Sequence, residues 1–213
     1  MGVLDDLKQS VIDMEVDKAT ELTQKALDEG LDAEKVLNEA LVPAMDAVGD
    51  QYEKGERYVP EMLLSAQAMK GGMQLLRPLL AESGVEPKGR IVIGTVEGDL
   101  HDIGQNLVSM MLEGAGFEVT NLGAETPADE FVSSVKDNRA DILGLSALLT
   151  TTMTHMPEVI DALKEDGVRE NLQVMIGGAP VSQDYADEIG ADGYASDASS
   201  AVKLAEQLIG ARK

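Results

Sequence analysis

Neither cysteine nor tryptophan occurs in the 213 residues, aromatic side chains make up 3% of them, and 17 Lys and Arg face 39 Asp and Glu. Without cysteine there is no disulfide, no thiolate metal site and no cysteine nucleophile, and an intracellular setting is unremarkable. A formal charge of −22 repels nucleic acid phosphates and anionic lipid headgroups alike, so neither is an expected partner. No apolar run reaches membrane-spanning length, and the opening MGVLDDLKQS lacks a basic leader followed by an apolar core. The chain is therefore expected to be soluble and cytoplasmic. Where rings are scarce, 11 flexible methionine thioethers are available to fill space. Hydrophobic residues amount to 44%, enough for a packed core in one large domain or two small ones.

What is present divides into two grammars. Up to about residue 86 the pattern is helical. A first helix is expected over residues 3 to 13. Asp17 can cap a second, whose Ala19, Leu22, Ala26 and Leu27 share a face and which Gly30 can end. Asp32 can start a third through Val36, Leu37, Ala40 and Leu41. Pro43 is unsuited to that helix's interior but fits the first turn of a new one, carrying Ala44, Ala47 and Val48 and closed by Gly55. Pro60 opens the clearest helix, where Met62, Ala66, Met69, Met73, Leu76 and Leu80 recur at spacings of four and three. These segments predict a bundle of four or five helices, ending at the turn-rich Ser83-Gly84-Val85-Glu86-Pro87-Lys88-Gly89.

From Arg90 onward short β-branched runs alternate with helical stretches. Strands are expected at 90–96, 117–122, 141–146, 173–177 and, weakly, 193–196. Helices are expected at about 104–115, 127–138, 151–166, 182–189 and 197–210. Such alternation argues for an α/β domain, a doubly wound parallel sheet covered on both faces, whose ligands bind beyond the carboxyl ends of the strands. The expected division is a helical bundle over 1–88 and an α/β domain over 89–213.

One of only two histidines follows the first of these strands, in Val96-Glu97-Gly98-Asp99-Leu100-His101-Asp102-Ile103-Gly104. The glycines at 94, 98 and 104 form neither a dinucleotide fingerprint nor a P-loop, and Glu97, Asp99 and Asp102 would oppose a phosphate. Histidine two residues from an aspartate offers other chemistry. A carboxylate accepting from one imidazole nitrogen fixes the tautomer and makes the other nitrogen a better metal ligand, although a loop histidine can equally serve a backbone hydrogen bond. A protein-only zinc site needs three or four ligands, which this chain supplies badly, so a metal would have to arrive with most of its coordination filled. His155, the second histidine, falls inside the expected helix 151–166 and reads as an ordinary surface or packing residue.

Asp99-x-His101-x-x-Gly104 resembles the D-x-H-x-x-G signature of cobalamin-binding domains of the methionine synthase and methylmalonyl-CoA mutase type. Ser146-Ala147-Leu148 after the third strand matches the S-x-L of that family, and Gly177-Gly178 after the fourth matches its paired glycines. With a methionine-containing helical bundle ahead of it, the whole chain is similar to the corrinoid methyl-carrier proteins of methyltransferase systems, including the methylamine, methanol and glycine betaine corrinoid proteins. The resemblance implies a flavodoxin-like, Rossmann-like sheet of five strands. It implies cobalamin or a related corrinoid bound base-off, with His101 as lower axial cobalt ligand and the displaced dimethylbenzimidazole in a slot in the sheet. Asp99 would hold the other imidazole nitrogen, Ser146 would continue the proton network, Gly104 would begin a helix beside the nucleotide tail, and Gly177 and Gly178 would let that tail approach closely. Asp102, Ile103 and Leu148 belong to the matched segments, and Asp102 acquires no role of its own. Thr150, Thr151 and Thr152 follow the S-x-L and can either offer hydroxyls to the cofactor or cap the next helix. The methionine stripe reads as core, with the option that one or two members roof the cobalt.

The function so implied is a carrier that is not catalytic alone. It would pass a methyl group through a Co(I)/methyl-Co(III) cycle from a substrate-specific methyltransferase to a second methyltransferase acting on tetrahydrofolate or coenzyme M. A reductive activase is a further candidate partner. Methylamines, quaternary amines such as glycine betaine, methanol and methoxy compounds are the donors such carriers serve. Access of both partners to the cobalt implies a hinge near residues 83 to 89. The competing readings are a cobalamin-dependent sensor, a mutase subunit and a flavodoxin-like electron carrier, the last opposed by the missing phosphate loop.

Overall fold

A computed structural model describes residues 2–83 and 86–211. The chain divides into two compact units, one running to Pro87 and taking in Glu113–Gly116, the other comprising Lys88–Leu112 and Phe117 onward. Residues 84 and 85, within the expected hinge, lie outside the described residues.

The first unit is built of α1 (Val3–Ile12), α2 (Val16–Asp28), α3 (Ala33–Val36), α4 (Val42–Glu53) and α5 (Val59–Ser83). Every member of the expected stripe on α5, from Met62 to Leu80, is buried. Two expectations need correction. The residue at the N-cap of α2 is Glu15, which makes no side-chain cap, and Asp17 lies in the first turn, where its charge still favours the helix dipole. Pro43 stands in the first turn of α4, as expected, but that helix is not separate from the one before it. The backbone is helical without a break from Ala33 to Glu53, through a π-helical turn at Leu37–Leu41. Proline cannot donate to the carbonyl four residues back and collides with it, and the wider turn immediately before Pro43 relieves that conflict, leaving Val36, Leu37, Ala40 and Leu41 all buried. At Gly72 an added Cβ would lie 2.8 Å from Thr23 Oγ1 and 3.1 Å from Leu41 Cδ1, so this glycine sets how closely α5 approaches α2.

The second unit is a five-stranded parallel sheet in the order β2-β1-β3-β4-β5, with β1 at Arg90–Thr95, β2 at Glu118–Asn121, β3 at Ile142–Ser146, β4 at Gln173–Gly177 and β5 at Gly193–Ala195. The intervening helices are α6 (Ile103–Gly114), α7 (Ala128–Asn138), α8 (His155–Glu165) and α9 (Gln183–Ile189), with α10 (Ala198–Gly210) last. This is the expected doubly wound fold. The order reverses between β1 and β3, where crossovers leave to opposite sides and open a crevice at the strands' carboxyl ends. Strand alternation gives the two sheet faces different characters. Val92, Val96, Leu143, Leu145, Val174 and Ile176 turn to a bulky core with Phe131 of α7 and Met156, Val159 and Ile160 of α8. Gly94 makes room for that one large ring, since a Cβ there would lie 2.9 Å from Phe131 Cε1.

Candidate cofactor site

The loop leaving β1 at the reversal point turns back on itself at Gly98, whose φ of +77° favours glycine. The Val96 N–H donates to the Ser146 carbonyl at 3.0 Å and the Asp99 N–H to the Val96 carbonyl at 3.2 Å. The Asp99 side chain is thereby carried under the loop, where it is fully buried. A buried carboxylate requires partners, and four donors converge on it. Oδ1 accepts the His101 backbone N–H at 3.0 Å and the His101 Nδ1 at 2.8 Å. Oδ2 accepts the Leu148 backbone N–H at 2.7 Å and the Thr152 hydroxyl at 2.6 Å. Burial alone would push this carboxyl up, but the Thr152 hydroxyl, the Leu148 and His101 N–H groups and the His101 ring together hold it well below the usual carboxylate range. It stays anionic, so a neutral His101 ring places its proton on Nδ1 and its lone pair on Nε2. The His101 side chain is 52% exposed. The pair thus presents a single oriented imidazole nitrogen at the open edge of the sheet.

The hydroxyl on Asp99 belongs to Thr152; Ser146, expected to continue the network, is not among the groups bonded to that carboxylate. Ser146 ends β3 and contributes its carbonyl to the β1 loop. The Thr152 hydroxyl also reaches the Leu149 carbonyl at 3.1 Å, and residues 150–154 form turns, so α8 starts at His155 and not at 151. Thr150 and Thr151 are exposed, and neither is the N-cap of α8, which is Thr154. His155 opens the helix, its Nδ1 2.8 Å from Glu158 Oε2. Asp102 is half-buried, with its carbonyl accepting the Asn106 N–H at 2.7 Å. Among the described residues no three His, Asp or Glu side chains are grouped to hold a metal.

Around His101 the surface suits a flat apolar ligand. Leu100 and Ile103 are 69% and 71% exposed, and Leu148 and Leu149 from the loop after β3 are each 43% exposed, an arrangement unfavourable in water without a cover. Gly104 stands in α6 with nothing within 4 Å of the place a Cβ would take, so no contact inside the protein calls for the missing side chain. On the sheet face opposite the bulky core, Thr95, Ser146, Gly177 and Ala195 are successive cross-strand partners, making a row of small residues across four strands. Gly178, at φ +128°, would drive a Cβ to 1.8 Å from the Ala147 carbonyl oxygen, so only glycine fits where this row meets the open edge. Two buried polar atoms of α6, Gln105 Oε1 and Ser109 Oγ, have no hydrogen-bond partner among the described residues. A carboxylate-held imidazole, an apolar rim and a row of small residues on the sheet together fit a metal carried in a macrocycle with a long appendage.

These features define a class, the doubly wound domains that hold a preassembled metal cofactor at the carboxyl edge of the sheet. Comparison with known proteins agrees. Residues 89–203 match the family model described as B12 binding domain, and residues 3–77 match a second model of the same description. A corrinoid protein of Desulfitobacterium hafniense is 46% identical over 213 residues, with 99% of each chain covered. Dimethylamine corrinoid protein 1 of Methanosarcina acetivorans is 45% identical over 208 residues, with 97% of each covered. Among solved structures, the methanol:cobalamin methyltransferase complex MtaBC from Methanosarcina barkeri aligns with a TM-score of 0.86 at 32% identity, covering 98% of this chain and 80% of that one. The chain belongs to the B12-binding corrinoid proteins.

Proposed function

We propose that this chain is the methyl carrier of a methylamine-type methyltransferase system, binding its corrinoid base-off with His101 Nε2 as lower cobalt ligand. The observation that carries the reading is the buried Asp99 carboxylate holding His101 by Nδ1 and leaving Nε2 at the open edge. A bound corrinoid supplies a cobalt centre able to accept and release a methyl group. The chain's own residues orient and shield it. Asp99 would fix the ring and its tautomer, keeping Nε2 directed at the open edge. Leu100, Ile103, Leu148 and Leu149 would shield the corrinoid from water, and the Thr95–Ser146–Gly177–Ala195 row would leave room for its tail. Residues 1–88 form the helical domain and 89–213 the cofactor domain in this reading. The donor is a methylamine, dimethylamine first, because end-to-end relatives carry that name. The partners are the amine-specific methyltransferase and a second methyltransferase that takes the methyl group onward, with a reductive activase to restore the carrier.

Uniform 15N-histidine labelling tests the ligand. In the cobalt(II) state, the 14N splitting of the paramagnetic resonance lines is expected to change to that of 15N in the wild type and in His155→Gln, and to be absent in His101→Ala. Unchanged 14N splitting in the labelled wild type would assign the axial bond to the cofactor's own base and overturn the proposal.

A further inference from the structure

The first turns of α6 carry a polar group that the axial-ligand chemistry does not use. Gln105, Ser109 and Leu112, spaced as i, i+4 and i+7, are buried along one stripe of the helix. Gln105 Nε2 donates to Asn121 Oδ1 at 2.8 Å, at the end of β2. The polarity of this contact is set by the backbone, because the same Asn121 oxygen accepts the Gly123 N–H at 2.8 Å and the Asn121 amide donates onward to Asn106 Oδ1 at 2.8 Å. Asn121 therefore cannot be turned round, Gln105 must offer its NH2 to it, and Oε1 is the atom left over. That oxygen and Ser109 Oγ are both buried and both unpartnered. An unmet buried acceptor or hydroxyl is costly, so two on one helical stripe ask for a partner from outside the chain.

The side of the sheet they face follows from handedness. The β1-to-β2 crossover runs opposite in direction to the β2-to-β3 crossover, so right-handed connections put α6 on the face away from α7. α7 packs on the bulky face with Val92 and Val96. α6 thus lies on the face that carries the small residues Thr95, Ser146, Gly177 and Ala195.

We infer that Gln105 Oε1 and Ser109 Oγ form a polar subsite that hydrogen-bonds a donor, a hydroxyl or N–H, on the nucleotide tail of the corrinoid, with the Asn121–Asn106 amides holding Gln105 in place. The inference rests on the corrinoid reading above. It makes α6 a selector for the tail, separate from the cobalt ligand. Ser109→Ala, which only removes the hydroxyl, and Gln105→Met, which keeps the length, are compared with wild type by spectral titration with hydroxocobalamin and with cobinamide, the same corrin without its nucleotide. Each variant is expected to weaken cobalamin about tenfold while leaving cobinamide within about twofold, as the loss of one or two hydrogen bonds to the tail alone would do. Ser109→Ala apoprotein is expected to melt no lower than wild type, since it loses an unpaired buried group. Equal weakening for both corrinoids, or no change for cobalamin, would overturn the subsite, the latter assigning the two atoms to buried water. Wild-type protein that bound neither corrinoid would instead refute the reading on which it rests.

Discussion

At the scale of single residues, the site is organised around a carboxylate and not around the histidine it serves. Asp99 has no exposure and four hydrogen-bond donors, and its acidity follows from them. Because its folded-state pKa lies below the ordinary carboxylate value near 4, it contributes stability fully above about pH 4 and loses that contribution as pH falls further. Thr152→Val removes one donor, leaves the carboxylate undersatisfied and moves its folded-state pKa up toward the unfolded value, so the loss on acidification should be smaller and complete at higher pH. Neutral-pH stability should fall by about 1–3 kcal/mol, with Thr152→Ser close to wild type. Urea unfolding across pH 2 to 7 measures both effects. Coincident acid limbs for Thr152→Val and wild type would refute the role given to this hydroxyl. In the sequence Thr152 is only one of three consecutive threonines, and Ser146 is the better candidate there because it sits in the S-x-L. Nothing local separates them. The choice is made by a loop that brings residues 53 positions apart to 2.6 Å.

At the scale of elements, two departures from rule carry the helical unit. The π-helical turn lets one continuous helical run pass Pro43, and Gly72 lets α5 lie close against α2. Glycine inside a helix is unfavourable by propensity, so Gly72→Ala ought to help an isolated α5. In the folded protein its methyl would meet the Thr23 hydroxyl and Leu41, both buried, and the helices would have to separate. The expected result is a destabilisation of about 1–3 kcal/mol, typical of overpacking, read from the midpoint of chemical unfolding followed by circular dichroism. A gain in stability would show that the two helices adjust without cost. The sheet elements were legible because parallel strands buried on both faces read as short apolar runs between helical stretches, and all five strands and their helices fall near their expected limits. The exception was the start of α8, where Thr152 is drawn to Asp99 before the helix can form.

At the scale of the whole molecule, the charge of −22 is too large for neighbouring bases to neutralise, and ion pairs such as Lys18–Glu15, Lys88–Glu206 and Lys164–Asp161 are on the surface, where each contributes little. Self-repulsion should therefore be relieved by salt. Raising ionic strength from about 10 mM to about 150 mM shortens the screening length from roughly 30 to 8 Å. An increase in Tm of about 2–4 °C is expected in sodium chloride, corresponding to about 1 kcal/mol for a chain of this size. Calorimetry showing a flat or falling Tm would mean that attractive pairs dominate instead. No described helix is long and apolar enough to cross a membrane.

Periodicity is a local property, so the sequence alone determined most of the helices and strands and that His101 lies beyond the carboxyl end of β1. Motif spacing was enough to pair Asp99 with His101, since two residues apart on one loop they can hardly avoid each other. Only the tertiary structure decided who completes that pair. Leu148 and Thr152 reach Asp99 across 49 and 53 positions, and Asn121 fixes the sense of the Gln105 amide from the end of another strand. It also decided that Thr95, Ser146, Gly177 and Ala195 form one row, because strand register is a property of the assembled sheet. Hydrogen bonds to a buried group are satisfied by whichever donor the fold brings within about 3 Å, and distance along the chain does not predict which one that will be.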